Sequence, residues 1–215
     1  RKFWKDDFSV DSSSQYTGGV ANFTWDTANG CISTSTSSSL RTPTQPIDYP
    51  TLSFVAKVPG TTTGEDIRVG MSFYMGGSQY KLWFLYQNNR LYLQRLSPFK
   101  NCAIAPEITG TGWTTDDLVR GKMEVLPDRI VITCEMGGQS RRSTYMCQPT
   151  QITNISFTTQ MSSRTAYFYE GSVTPSISYA DNFSTDTTER YQAVTGTVAY
   201  DDVNKRMNVT TATGA

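Results

Sequence analysis

Along much of this chain apolar and polar residues alternate with a period of two, the repeat of an extended strand whose successive side chains point to opposite faces. In LSFVAKV, residues 52–58, Leu52, Phe54, Ala56 and Val58 share one face, with Ser53 and Lys57 on the other. IRVGMSFYM, QYKLWFLYQ and LYLQRL follow, separated by Gly76-Gly77-Ser78 and by Asn88-Asn89-Arg90. Adjacent Asn residues tolerate the left-handed dihedrals of a tight turn, so this stretch predicts a meander. LVRGKMEVL and RIVITCEM, joined by Pro127-Asp128, predict a hairpin in which Met123 and Val125 face away from Lys122 and Glu124. RRSTYMCQ, ITNISFTT and TAYFYEGS bring the total to about ten strands. Earlier, GCISTSTSSS reads as a strand and SLRTPTQPIDYP as a Pro-rich loop, and residues 97–113 read as a second long loop. A helix signal is confined to 114–120, TTDDLVR. So many short strands at regular spacing predict an all-β fold, an antiparallel two-sheet jelly-roll sandwich.

The chain opens and closes on the same phrase. Laid over one another at an offset of 175 residues, Asp6, Phe8, Ser9, Asp11, Tyr16, Asp26 and Asn29 meet Asp181, Phe183, Ser184, Asp186, Tyr191, Asp201 and Asn204. Trp4 meets Tyr179 and Trp25 meets Tyr200. Composition alone would give roughly two identities in such a window. This predicts one complete module over residues 1–179 and, over 180–215, either the opening strands of a second copy or a strand segment that pairs with a neighbouring module.

Charge and composition narrow the chemistry. Lys and Arg number 19 and so do Asp and Glu, a formal net charge of zero that offers no electrostatic footprint for nucleic acid or an acidic membrane. No apolar run is long enough to predict membrane insertion. Histidine is absent, which removes Ser-His-Asp and Cys-His nucleophilic sites, His-ligated zinc and the commonest general base. The cysteines Cys31, Cys102, Cys134 and Cys147 are too scattered for a zinc ribbon and allow three disulfide pairings. Cys134 and Cys147 flank a glycine turn and could bridge a hairpin. Cys134 also shares a strand face with Ile130 and Ile132, where it would serve as a small buried hydrophobe. A surface rich in Ser and Thr and poor in charge is typical of extracellular, cell-surface or virion-surface β proteins.

With its DDF opening, IRVGMSFYM strand, QYKLWFLYQNNRLYLQRL hairpin, VRGKMEVLPDRIVITCEMGG strand pair and aromatic TAYFYEGS strand, most of residues 6–175 resembles the concanavalin A-like and laminin G-like jelly rolls. That resemblance implies lectins, adhesion modules and fibre parts, and also laminarinase-type glycoside hydrolases. The hydrolases carry an E-x-D-x-x-E strand motif that puts alternate carboxylates on one face. This chain has none: Glu124 and Glu135 lack an acidic neighbour two places along, and Glu170 precedes Gly-Ser. The expectation is therefore no catalytic constellation and no enzyme, although carboxylates from separate strands can still meet in space. Relatives of this kind hold structural calcium, for which Asp6, Asp7 and Asp11 are the candidate oxygen ligands. Asp-Ser clusters also simply cap turns, and Asp26 with Asn29 reads as a hairpin turn.

Glycan binding needs bare aromatic faces with amides or charged groups beside them. On QYKLWFLYQ, Tyr80, Leu82, Phe84 and Tyr86 share one face and Lys81, Trp83, Leu85 and Gln87 the other. The mixed face is the candidate platform: Trp83, Lys81 and Gln87, with Tyr92 and Arg95 from the next strand and Trp113 from a loop. The functional expectation is a non-catalytic structural module of a fibre or adhesive filament that recognises glycans and partners copies of itself or sibling modules. A lectin and a polysaccharide-cleaving hydrolase are the alternatives.

Overall fold

The structure, a computed structural model, describes residues 3–43, 46–61, 64–109, 117–161, 164–176, 197–201, 203 and 206–210. The chain divides into two compact units, Arg1–Pro175 and Ser176–Ala215. Fourteen strands of the first unit are described. They are β1 (Trp4–Asp6), β2 (Thr24–Asp26), β3 (Cys31–Thr34), β4 (Ser39–Arg41), β5 (Pro50–Lys57), β6 (Arg68–Met75) and β7 (Ser78–Leu85), then β8 (Arg90–Leu96), β9 (Phe99–Ile104), β10 (Val119–Leu126), β11 (Arg129–Met136), β12 (Gln139–Met146), β13 (Ile152–Gln160) and β14 (Ala166–Pro175).

They form two antiparallel sheets. The larger runs β12-β11-β10-β5-β14-β3-β2, with β1 also paired to β14, and the smaller runs β4-β13-β6-β7-β8-β9. This is the predicted all-β sandwich. Its core is built by the period-two alternation: Leu52, Phe54, Ala56, Met123, Ile132 and Phe168 from the larger sheet, and Val69, Met71, Leu82, Phe84, Leu93 and Phe157 from the smaller, are all wholly buried. Phe157 reaches across to Phe168, with ring centroids 4.9 Å apart.

The turns follow their chemistry. Gly76 and Gly77, and again Gly137 and Gly138, take positive φ in two-residue hairpin loops, and Asn89 takes φ 52° between β7 and β8. Pro127-Asp128 closes β10 on β11 with Leu126 opposite Arg129. Three sequence expectations are corrected. The loop read over 97–113 contains β9, hidden because Phe99, Lys100 and Asn101 are all exposed and break the alternation. GCISTSTSSS is split: β3 ends at Thr34 and β4 resumes at Ser39 in the other sheet. The helix signal of TTDDLVR lies partly outside the described residues, and its end, Val119 and Arg120, opens β10.

Packing at the centre depends on two glycines. Phe54 stands in register between Gly121 on β10 and Gly171 on β14. A Cβ on Gly121 would come within 2.3 Å of the Phe54 ring, and one on Gly171 within 2.1 Å of Phe157 and 3.1 Å of Trp4. The missing side chains are the space these rings occupy. Gly171→Ala is expected to cost about 1–3 kcal/mol of stability by overpacking, measured by urea denaturation. Gly18→Ala, where the nearest atom lies 3.9 Å from the added carbon, is expected to be close to neutral.

Candidate functional site

The residues named for a platform on the smaller sheet are brought together only in part. Trp83, Leu85 and Tyr92 form a small apolar cluster with Ile104 on the outer face, apart from the main core. Trp83 is only 3% exposed. The Arg68 guanidinium lies 4.6 Å and the Lys81 ammonium 4.2 Å from its ring centre, and its Nε1 donates to Gln94 Oε1 at 2.6 Å. Burial, and then the Arg68 charge, lower the Lys81 pKa from its ordinary value. Tyr92 stands directly opposite Trp83, and its hydroxyl accepts from Asn88 Nδ2. Gln87 is exposed in the turn after β7. Arg95 pairs in register with Tyr80, so it shares the face of Tyr80 and not that of Trp83, and it donates to the Pro98 carbonyl. Trp113 lies outside the described residues. The structure therefore brings Lys81, Trp83 and Tyr92 together, leaves Gln87 and Arg95 apart, and covers the ring that a sugar would need bare.

The three aspartates proposed for calcium are each engaged by the protein. Asp6 is buried: Oδ1 accepts from the Phe8 amide at 2.8 Å, and Oδ2 accepts from the Ser12 hydroxyl and from Tyr16 at 2.9 Å. Trp25 Nε1 donates to Ser12 Oγ at 3.3 Å and completes this hub. Asp7 accepts from the Ser9 amide and hydroxyl, and Asp11 from the Ser13 amide. Among the described residues no group of three or more His, Cys, Asp or Glu converges as a metal site. Asp26 accepts from the amide and side chain of Asn29, closing the β2–β3 turn as read from the sequence. All four cysteines are free. Cys134 stands opposite Arg141 in the β11–β12 register, so Cys147 is not its hairpin partner. Burial pushes the Cys134 thiol up to about 12.

A different surface emerges on the outer face of the larger sheet. Alternation turns Arg120, Lys122 and Glu124 outward from β10, and Glu135 from β11. On β14 a bulge between Phe168 and Glu170 inserts Tyr169 as an extra residue. Without it Glu170 would continue the inward parity of Ala166 and Phe168; with it, Glu170 faces out and Gly171 faces in. The registered row is Ser140, Glu135, Arg120, Val55, Glu170 across four adjoining strand pairs. Arg120 sits between the two carboxylates, with Nε 3.9 Å from Glu135 and Nη1 3.7 Å from Glu170. These contacts are long and half exposed, so they add little stability.

Two hollows lie on this outer face. One, of about 340 Å³, is bounded by Val55, Arg120, Glu135 and the Gly137-Gly138 turn. The other, of about 290 Å³, is bounded by Asp26, Cys31, Lys57, Tyr167 and Tyr169, with the Lys57 ammonium 5.4 Å from the centre of the Tyr169 ring. The first reaches β5 at Val55 and the second at Lys57, so their linings together mark out a band across β11, β10, β5, β14 and β3. At the spacing of paired strands it is about 19 Å long. It offers aromatic faces, hydrogen-bonding charged groups and two carboxylates from separate strands. Sequence alternation alone could have shown Arg120, Glu124 and Glu135 on one side; Glu170 was hidden by the bulge.

No family model matches the sequence, and no curated protein matches it. Solved structures do share its fold. A protein of unknown function with a galectin-like fold from Bacillus subtilis superposes with TM-score 0.57 at 11% identity, over 80% of this chain and 94% of that one. A xylan β-1,4-xylosidase from Bacillus halodurans C-125 superposes with TM-score 0.56 at 9% identity, over 79% of this chain but only 38% of that one. The Crh5 transglycosylase, solved in complex with NAG, gives TM-score 0.53 at 8% identity, over 81% of this chain and 84% of that one. The first unit thus has the concanavalin A-like sandwich fold. The expectation of a non-catalytic fibre module, and with it the exclusion of an enzyme, is corrected: carbohydrate-active enzymes are prominent among these neighbours. The missing E-x-D-x-x-E concerns carboxylates of one strand, whereas Glu135 and Glu170 come from two strands and each lies beside Arg120.

Burial, and then the Asp6 charge, push the Tyr16 phenol well above its ordinary range, so it remains a protonated donor. A group whose folded pKa is raised contributes stability that is complete below its unfolded value, about 10 for tyrosine, and lost as pH rises above it. Tyr16→Phe is expected to cost about 1.5–3 kcal/mol at pH 7 in urea denaturation, the range for hydrogen bonds to charged groups. The same variant is expected to lose less stability than the parent between pH 10 and pH 12.

Proposed function

We propose that this chain is a carbohydrate-active protein that lays a polysaccharide strand across the outer face of its larger sheet and acts on a glycosidic bond with Glu135 and Glu170. The observation that carries this reading is the registered row in which two carboxylates from β11 and β14 flank Arg120 on an outer face that also carries two hollows. Tyr167 and Tyr169 supply faces for C–H stacking, and Lys57 and Lys122 supply groups for sugar hydroxyls. A bound polymer would cover the half-exposed carboxylates and set its glycosidic oxygen against one of them. One then protonates the leaving oxygen while the other attacks the anomeric carbon or activates water. The shared fold of the xylosidase and the transglycosylase supports a polymeric carbohydrate as the substrate class.

The test is a panel of soluble xylan, β-glucan, chitin oligomers and alginate, scored for new reducing ends and, separately, for retardation in affinity gels. Cleavage of at least one polymer is expected, with Glu135→Gln and Glu170→Gln each lowering the rate by about 100-fold or more. Both variants should melt within about 2 °C of the parent, since the carboxylates contribute little to stability. Absence of cleavage and of binding across the panel, or activity that survives both substitutions, would overturn the proposal.

A further inference from the structure

The head of the chain is organised around the Asp6 hub, and the residues of that hub are the ones that recur 175 positions later. Asp181, Phe183 and Tyr191 stand where Asp6, Phe8 and Tyr16 stand, and Thr187 keeps the hydroxyl of Ser12. The buried head positions Trp4, Phe23 and Ile32 are matched by Tyr179, Val198 and Met207. The recurrence therefore takes in the buried hub and its buried neighbours as well as the exposed turn residues Ser9, Asp11 and Asn29.

The second unit supplies an independent observation. Its described part is a hairpin of β15 (Thr197–Asp201) and β16 (Arg206–Thr210). Its register pairs Asp201 with Arg206, Tyr200 with Met207 and Ala199 with Asn208. In the head, β2 and β3 pair Asp26 with Cys31, Trp25 with Ile32 and Thr24 with Ser33. Every one of these pairs is displaced by the same 175 residues, and the turn has the same length. A slip of a single residue would have reversed the faces of the whole strand.

We infer that residues 179–210 are a second copy of the sandwich's opening segment, and that the partner they are built to pair with is a strand of the β14 type belonging to a further sandwich of this kind. In the first unit β3 pairs on its far side with β14, Ile32 opposite Phe168, Ser33 opposite Tyr167 and Thr34 opposite Ala166, and β1 continues along the same strand with Trp4 opposite Val173. The same offset sets Met207, Asn208 and Val209 against those three positions of the partner strand. The β14 of this chain is already taken up by its own β1 and β3, so the complement is another strand with the same pattern: alternate apolar residues, a bulge, and a glycine where Gly171 makes room for the Trp4 ring. Pairing of this sort is strand addition, with main-chain bonds for affinity and alternate side chains for selectivity. Two positions depart from the head. Val194 stands where Gly19 has φ 81° and no room for a Cβ beside Ser39, and Arg206 stands where Cys31 is buried. Cys31 lines the outer hollow beside Lys57, from which a longer side chain can extend to water.

The inference is tested by exchanging the two segments in the full-length chain. Residues 4–35 are replaced by a copy of 179–210, and a control carries the same replacement residues in scrambled order. A second exchange restores Gly19 and Cys31, the two departures named above. Cooperative unfolding, with a midpoint within about 10 °C of the parent for at least one exchange and no cooperative transition for the scrambled control, is the expected result. Introducing Asp181→Ala into the copied segment should abolish that transition, as Asp6→Ala should in the parent. If neither exchange unfolds better than the scrambled control, or if the control folds as well as they do, the inference is overturned.

Discussion

The strand β14 constrains the rest of the first unit. It is the one strand that pairs with β5 on one side and with both β1 and β3 on the other, so the head of the chain and the centre of the larger sheet are joined through it. Its inner face carries Ala166 and Phe168, then, after the bulge, Gly171 and Val173. An unbroken alternation would drive the Glu170 carboxylate into the apolar interior, where an unpaired charge costs several kcal/mol. The bulge at Tyr169 reverses the parity in one step. It sends Glu170 to solvent and brings Gly171 under the rings of Phe157 and Trp4, where no other residue leaves room. The outward carboxylate of Glu170 and the close packing at Gly171 are consequences of the same extra residue.

Much of the fold was legible because its information is local. LSFVAKV, QYKLWFLYQ and VRGKMEVL declare their faces by alternation, and the glycine and asparagine pairs declare their turns. What was not legible depends on tertiary partners. Phe99, Lys100 and Asn101 look like loop because β9 is an edge strand whose exposed residues owe nothing to the core, and the head uses strands of three residues, too short for periodicity to register. At the candidate site, Arg120 and Glu135 carry a readable outward parity. Their union with Glu170 does not, since it depends on a bulge and on the order β11-β10-β5-β14, neither of which spacing along the chain can reveal. Trp83 was placed correctly outside the main core by its face. Its burial under Arg68 and Lys81 required knowing that β6 lies beside β7 and that Arg68 falls two residues from its registered partner, Gly70 opposite Trp83.

The two outer faces differ in how completely they satisfy themselves, and this difference decides which is the better candidate for function. On the smaller sheet, Trp83 donates to Gln94, Gln94 donates to Asn101, Asn88 donates to Tyr92, and Arg68 makes a two-point contact with Asp66 that Gln160 also joins. These bonds, from 2.6 to 3.1 Å, would have to be broken before a ligand could use the groups in them. On the larger sheet the Arg120 contacts to Glu135 and Glu170 are 3.9 and 3.7 Å, and the same face carries two hollows. Groups held loosely in an open band can exchange their partners for a substrate's hydroxyls at little cost, whereas groups locked to one another hold the sheet together and stay where they are. The outer face of the smaller sheet is therefore the more fully self-bonded, and the larger sheet, which β14 ties to the head, carries the candidate surface.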